Sequence, residues 1–434
     1  MPYRYRVLVG LFFLSVITYL DRVCIAVAAK PMQDELHISA SMWGWVPGAF
    51  TLSYAFFEIP SGMLGDRIGG RRVLTRIVLW WSAFTAITGA VTRYWMLLVV
   101  QFLFGAGEAG AFPNISASIA RWFPERERGR AIGISWMASR IGGALSPLIV
   151  VPLMRNFGWR SAFYVVGTVG VLWSAAWYWW YRDHPQLMPK ITAKELETIG
   201  ETPGIARSHR IPWRLVTRNS NFLLILLMYH TYCWGSYFYI SWMPNYLQRG
   251  RGFNDEQMKY WAMLPFIIGA CGNLCGGSLS DFLVKRIGLK WGRRAVGGGG
   301  LLMGGILLIS MAATADPQIA AVLLALSYGC QDSMLPVSWA VCMDVGQKYS
   351  GSISASMNMA GQVGSFISSV AFGYAVDYLR HHQFSVYQQF NLPIYPLAGM
   401  LLVSGILFLT IDPTRSVSKM EEAAQPRPLA PATV

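Results

Sequence analysis

Gly62-Met-Leu-Gly-Asp66-Arg67-Ile-Gly69-Gly-Arg71-Arg72 closes the second long apolar run of the chain, and a looser version returns after the eighth. The second copy reads Gly277-Ser-Leu-Ser-Asp281, with Lys285, Arg286, Arg293 and Arg294 behind it. Glycines in such a stretch permit a tight turn and a close approach of helices. The aspartate is placed either to sit at a helix N-terminus or to pair with the arginines across a gap. An acidic-plus-basic loop at equivalent places in two halves marks an internal duplication, a plan common among secondary transporters. Asp66, Arg67, Arg71, Arg72 and Asp281 are therefore the candidates for a conformational or gating role.

Working outward from this repeat, the composition decides the solvent. Of 434 residues 54% are hydrophobic and only 13% charged, too apolar for a water-soluble domain with a polar surface. A bilayer core takes about 20 apolar residues per helix. Twelve runs qualify, starting near Val7, Met42, Val73, Trp95, Arg130, Ser161, Asn221, Met258, Ala295, Pro317, Ser352 and Pro393. The first is too long for a cleavable signal peptide and lacks a small-residue cleavage site, so it reads as a retained helix. The net charge of +14 does not point to nucleic acid, because most basic residues lie in short segments between apolar runs. Their bias to one side puts both termini in the cytoplasm. The expected fold is an all-α membrane protein of twelve transmembrane helices in two pseudo-symmetric six-helix bundles, residues 1–181 and 219–412. A cytoplasmic loop, 182–218, joins them, and a disordered cytoplasmic tail, 413–434, follows. Within the loop, Thr192-Ala-Lys-Glu195 is a capping-box pattern ahead of a short surface helix. The six cysteines all fall in apolar runs, which argues against a disulfide framework, and Cys271 and Cys275 read as packing residues. There is no convincing metal-ligand set, no cofactor motif and no nucleophile paired with a histidine, so no enzyme is expected.

Charges inside the runs carry the functional signal. Asp21 and Arg22 lie in the first, Glu108 in the fourth, Arg140 in the fifth and Asp332 in the tenth. A charge at that depth is costly by a few kcal/mol, so each faces a polar cavity or another helix. Several of both signs suggest a pathway for a charged solute or for protons; the alternative is a set of structural ion pairs. Glu108 is embedded in small residues, Gly105-Ala-Gly-Glu-Ala-Gly110. These spell a dinucleotide fingerprint, but no strand precedes them and the reading is rejected. Arg22 and Arg140 are suited to hold a carboxylate, since a guanidinium binds one bidentately. Arg140 serves equally well as a partner of Glu108 or Asp332, and Asp332 as a further titrating group. Asn358 and Gln362 lie one turn apart on one helix face and offer either substrate contacts or interhelical hydrogen bonds. Glu58 lies nearer the cytoplasmic end, where gating is the better fit, and His230 reads as a satisfied structural histidine.

The loop at 62–72 resembles the signature of the major facilitator superfamily. Further strings resemble one branch of it, the anion:cation symporter family. They are Tyr19-Leu-Asp21-Arg22, Tyr54 with Glu58-Ile-Pro60-Ser-Gly62, Gly105-Ala-Gly-Glu108-Ala-Gly-Ala-Phe-Pro113, Trp122-Phe-Pro-Glu125-Arg-Glu-Arg128-Gly-Arg130 and Tyr237-Phe-Tyr-Ile-Ser-Trp242-Met-Pro244-Asn-Tyr246. The similarity runs from about Arg4 to Pro413. It implies proton-coupled symport of an organic anion by alternating access, with sugar acids such as hexuronates, aldonates or aldarates as the class. Export or exchange of another carboxylate, an aromatic acid or a drug-like solute is the alternative. The resemblance further implies proton coupling at Asp21 and Glu108, and a cavity tyrosine at Tyr54, with Tyr237 from the aromatic seventh run. Many relatives carry an arginine where this chain has Gln101 and an uncharged residue where it has Arg140, as though a positive charge had moved between helices. The expected partners are a small organic anion, protons and the lipid bilayer, around a monomer in a bacterial inner membrane.

Overall fold

The computed structural model describes residues 1–200 and 213–416 and contains no strand among them. This follows from the composition: within hydrocarbon every backbone N–H and C=O must be satisfied inside the protein, which a helix does by itself. Twelve long helical spans are laid down in order. They are α1 Tyr3–Val27, α2 Ala40–Ile68, α3 Gly70–Thr88, α4 Tyr94–Trp122, α5 Glu125–Phe157, α6 Trp159–Trp180, α7 Ser220–Ser241, α8 Asp255–Ile287, α9 Leu289–Ala313, α10 Pro317–Gly346, α11 Ser350–His381 and α12 Ile394–Thr410. Several begin a turn or more before the apolar run they contain, because a helix continues into the interfacial layer where its flanking charges meet water. With an even number of spans, α1 begins on the face where α12 ends. Tryptophans and phenylalanines at span ends, such as Trp95, Phe157 and Trp179, lie exposed on the surface, as an aromatic belt requires.

One feature of the repeat recurs in space and another does not. The α2–α3 turn pivots on Gly69 (φ 84°) and the α8–α9 turn on Gly288 (φ 82°), a backbone region open to glycine at little cost. α4 is broken near its middle, whereas α10 keeps helical dihedrals through Ser333 (φ −60°, ψ −25°) and loses a backbone donor only at Pro336. The first segment of α4 ends at Glu108, ahead of Gly110 in the left-handed region (φ 89°). Asp332 lies in the continuous part of α10, four residues before Pro336.

Within the first half α1 packs on α5, α2 on α4 and α3 on α6; within the second, α7 packs on α11 and α12. Small residues set these approaches. A Cβ on Gly142 of α5 would meet the Val16 carbonyl oxygen of α1 at 2.1 Å, and one on Gly272 of α8 would meet the Gly329 carbonyl oxygen of α10 at the same distance. The halves meet along α2–α11 and where Gly143 of α5 lies against Phe266 of α8. On the face away from the termini, Asp377 of α11 accepts the backbone N–H groups of Ala40 (3.2 Å) and Ser41 (2.7 Å) at the start of α2. Asp34 pairs there with Arg249, and Arg155 with Glu256 at 3.4 Å. These contacts tie the halves together on that face.

The short helix of the long loop forms over Ala193–Ile199, with the Thr192 hydroxyl accepting the Glu195 N–H. The Glu195 carboxylate turns instead to the Arg4 backbone N–H at 2.9 Å, so the box is half-made and its other half anchors the start of α1. Cys271 and Cys275 depart from the packing role expected of them. Both are exposed, because their one-turn spacing places them together on the outer side of α8. The loop residues 201–212 and the tail beyond 416 lie outside the described residues.

Candidate functional site

The buried charges converge on Tyr19 of α1. Arg22, one turn further along, is buried and places its guanidinium carbon 5.3 Å from the Tyr19 ring centre, 5.1 Å from Phe50 and 4.9 Å from Tyr54. Its Nε donates to Glu108, which is fully buried at the break of α4. Adjacent residues on a helix point in different directions, so Asp21 is not the partner of Arg22. Asp21 instead faces α3, where the Thr85 hydroxyl donates to it at 3.1 Å. Two acids near one cation thus have unlike surroundings: Glu108 holds a guanidinium and Asp21 a hydroxyl.

A second centre spans the inter-half boundary. Arg140 of α5 grips Asp332 of α10 with two parallel hydrogen bonds, Nε–Oδ2 at 2.7 Å and Nη2–Oδ1 at 2.6 Å. Asn273 of α8 donates to the same carboxylate at 3.2 Å and the Tyr232 hydroxyl of α7 at 3.4 Å. The Arg140 guanidinium carbon lies 5.3 Å from the Tyr328 ring centre and 5.4 Å from that of Tyr19. Of the two partners considered for Arg140, the structure selects Asp332. The two acids also occupy corresponding places in sequence: Gly105-Ala-Gly-Glu108 in α4 and Gly329-Cys-Gln-Asp332 in α10. This Gly-x-x-acid echo was readable in the sequence and marks Asp332 as the counterpart of Glu108. Thr85, Asn273 and Tyr328 carried no signal of their own, since each is an ordinary polar residue on an apolar helix.

A narrow cavity beside the first centre is lined by Arg22, Trp43, Phe50, Gln101, Tyr237 and Ser241, among others. Gln101 also donates to the Thr88 hydroxyl at 3.2 Å. Tyr54, Gln101 and Tyr237 therefore lie with Arg22. Asn358 is engaged elsewhere, donating to Glu58 at 2.5 Å across the α2–α11 contact, while Gln362 keeps a buried carbonyl oxygen without a partner. His230 Nδ1 lies 3.0 Å from the Ala360 carbonyl oxygen.

In the repeated loops, Arg67 and Arg72 are exposed, and the Asp66 side chain lies outside the described residues. The acid that meets the start of α3 is Asp183, which accepts the Arg71 N–H at 2.9 Å, while Arg71 Nε donates to the Tyr178 carbonyl at 2.7 Å. A carboxylate there complements the positive end of the helix dipole. In the second half Asp281 pairs with Arg293 at 3.0 Å, and Arg293 also reaches Asp344 at 3.2 Å. Chemically, each buried guanidinium is a carboxylate receptor satisfied by a protein acid.

A model of the Major Facilitator Superfamily matches residues 11–369. The chain is 33% identical over 425 residues to a probable sulfoacetate transporter, SauU, of Cupriavidus necator, covering 97% of this chain and 96% of that protein. It is 29% identical to the hexuronate transporter of Bacillus subtilis, covering 86% and 87%. Its fold matches the crystal structure of a bacterial homolog of the human lysosomal transporter Spinster in an inward-facing, unoccupied conformation. That match has a TM-score of 0.78 at 20% identity, over 96% of this chain and 98% of the other. The family match, twelve long helices and charges buried at mid-depth agree, and the chain belongs to the Major Facilitator Superfamily as a multi-pass integral membrane transporter.

Proposed function

We propose that this protein moves an organic anion across the membrane in symport with protons, by alternating access of the bundles 1–181 and 219–412 around the Tyr19 centre. The observation that carries the reading is the pair of buried guanidiniums, Arg22 and Arg140, each held by a buried acid of another helix. Relatives named for sulfoacetate and hexuronate transport support an acidic substrate, and a sugar acid is the class we propose. Arg22 holds the anion, with Tyr54, Gln101 and Tyr237 around it. Asp21 and Glu108 carry the protons, and the repeated loops, with Arg67, Arg71, Arg72 and Asp281, govern the conformational change. The protein works as a monomer, with both termini in the cytoplasm of a bacterial cell.

Energetics favour more than one acid. An inside-negative potential opposes anion entry by about 2.3 kcal/mol per charge per 100 mV. One proton with a monoanion only cancels that opposition, whereas a second lets the potential drive uptake. In proteoliposomes, Asp21→Asn and Glu108→Gln are each expected to cut accumulation driven by a pH gradient by at least about tenfold, while counterflow of preloaded substrate survives. Intact pH-driven accumulation in both variants would remove these acids from the coupling.

A further inference from the structure

The outer wall of the first half carries a groove of about 400 Å³ between α3 and α6, near the face of the termini. It is lined by Arg72, Thr75, Arg76, Leu79, Trp80 and Tyr178. α3 and α6 pack chiefly on each other and on α1, α2, α4 and α5, all of the first half, so the groove lies away from the boundary between the halves. Arg72 and Arg76 are exposed one turn apart on α3, and among the described residues neither makes a hydrogen bond or an ion pair. Like charges at that spacing disfavour the helix unless an anion joins them. The nearby acid, Asp183, is already engaged by the Arg71 N–H at 2.9 Å and by Arg121 at 3.6 Å. Arg71 adds a third positive charge at the rim, its guanidinium carbon 4.5 Å from the Tyr178 ring centre. Further along α3 the same stripe turns apolar, with Leu79 43% and Trp80 45% exposed. The Trp80 indole N–H fixes that ring by donating to the Leu103 carbonyl at 2.8 Å. Eight residues of helix separate Arg72 from Trp80, about 12 Å of depth. The second half does not repeat this arrangement. There Arg293 is engaged by Asp281 and Asp344, Arg294 donates to the Thr410 and Ile411 carbonyls, and Gly297 to Gly300 follow.

We propose that this groove holds an anionic phospholipid, its phosphate bridging Arg72 and Arg76 and an acyl chain lying along Leu79 and Trp80. Charge and depth together select this occupant. Guanidiniums without an acid complement a phosphate, and a basic pocket between helices at the membrane surface favours an anionic headgroup. Exposed apolar side chains deeper along the same stripe complement hydrocarbon, which a water-filled groove would leave unused. A zwitterionic lipid gains less, because its own cation meets the arginines. A free phosphate gains the charge but nothing from Leu79 and Trp80. The site is separate from the Tyr19 centre and does not depend on which solute is carried.

The test titrates the purified full-length protein in detergent with phosphatidylglycerol, phosphatidylcholine or glycerol 3-phosphate, read by native mass spectrometry and thermal shift. Wild type is expected to bind phosphatidylglycerol at least about tenfold more tightly than either of the others. Arg72→Gln with Arg76→Gln is expected to lose that preference, and Arg76→Gln alone to lose about threefold of it. Both side chains are exposed, so the lipid-free variants are expected to unfold at the wild-type temperature. Lys285→Gln with Arg286→Gln removes the same charge from exposed positions on α8 and is expected to keep the preference within about twofold. Equal affinity for the two lipids in wild type, or an undiminished preference in the Arg72 and Arg76 variant, overturns the proposal. So does an equal loss in the α8 variant, which would make the effect one of overall charge. Binding of glycerol 3-phosphate as tight as that of phosphatidylglycerol would make the groove a site for a free anion and overturn the lipid assignment.

Discussion

Arg140 and Asp332 show how much a single residue's meaning depends on its partner. Both are almost fully buried, and their contact is bidentate. Removing one member of a buried ion pair typically costs about 3–5 kcal/mol, because the survivor is left charged and unpaired, whereas exchanging both for apolar residues is often neutral. Asp332→Ala is therefore expected to destabilise the purified protein by about 3–5 kcal/mol in unfolding measurements, and Arg140→Met with Asp332→Leu to recover most of it. A double variant as unstable as the single one would show that the cost comes from lost packing instead. The sequence made every one of these charges visible, since an arginine or aspartate in an apolar run stands out. It did not pair them. Arg22 lies beside Asp21 in the chain yet meets Glu108, because neighbouring residues on a helix diverge and a second helix supplies the acid.

At the level of the element, the break in α4 positions Glu108. In α4 the break is set by Gly110, whose φ of 89° disfavours an L side chain and whose Cβ would come 2.4 Å from the Ser61 hydroxyl oxygen of α2. Gly110→Ala is expected to cost about 1–2 kcal/mol from backbone conformation alone, with crowding against α2 added, and to lower both the melting temperature and transport. Gly399→Ala is the matched control: that glycine is helical, nothing lies within 4 Å of its Cβ position, and its melting temperature should be unchanged or slightly higher. Equal behaviour of the two variants would argue that the α4 break tolerates a continuous helix. Helix existence was legible from hydrophobic length, but the break was not, since Gly105 to Gly110 reads equally well as a close-packing stripe. Gly105 and Gly107 are also crowded by other helices; what distinguishes Gly110 from them is its left-handed backbone, φ 89°.

For the whole molecule, the question is which face opens. The halves are tied on the face away from the termini, where Asp377 of α11 accepts both Ala40 and Ser41 N–H groups of α2. Asp377→Ala frees those donors and weakens the seal. With Ser241→Cys as the reporter in a background lacking the native cysteines, the variant is expected to raise thiol labelling from that face severalfold, since Ser241 lines the cavity beside Arg22. Unchanged labelling would mean that the apolar α2–α11 contact closes the face without Asp377. The sequence by itself determined the twelve helices, the duplication and the identity of the charges sheltered from lipid. Hydrophobic length and charge placement are properties of consecutive residues, and the bilayer reads them one helix at a time. Only the tertiary structure decided that Arg22 meets Glu108 across 86 positions and Arg140 meets Asp332 across 192. Those pairings arise from how separate helices dock side by side, and in a chain where every helix is apolar, the pattern along one of them does not say which neighbour it will face.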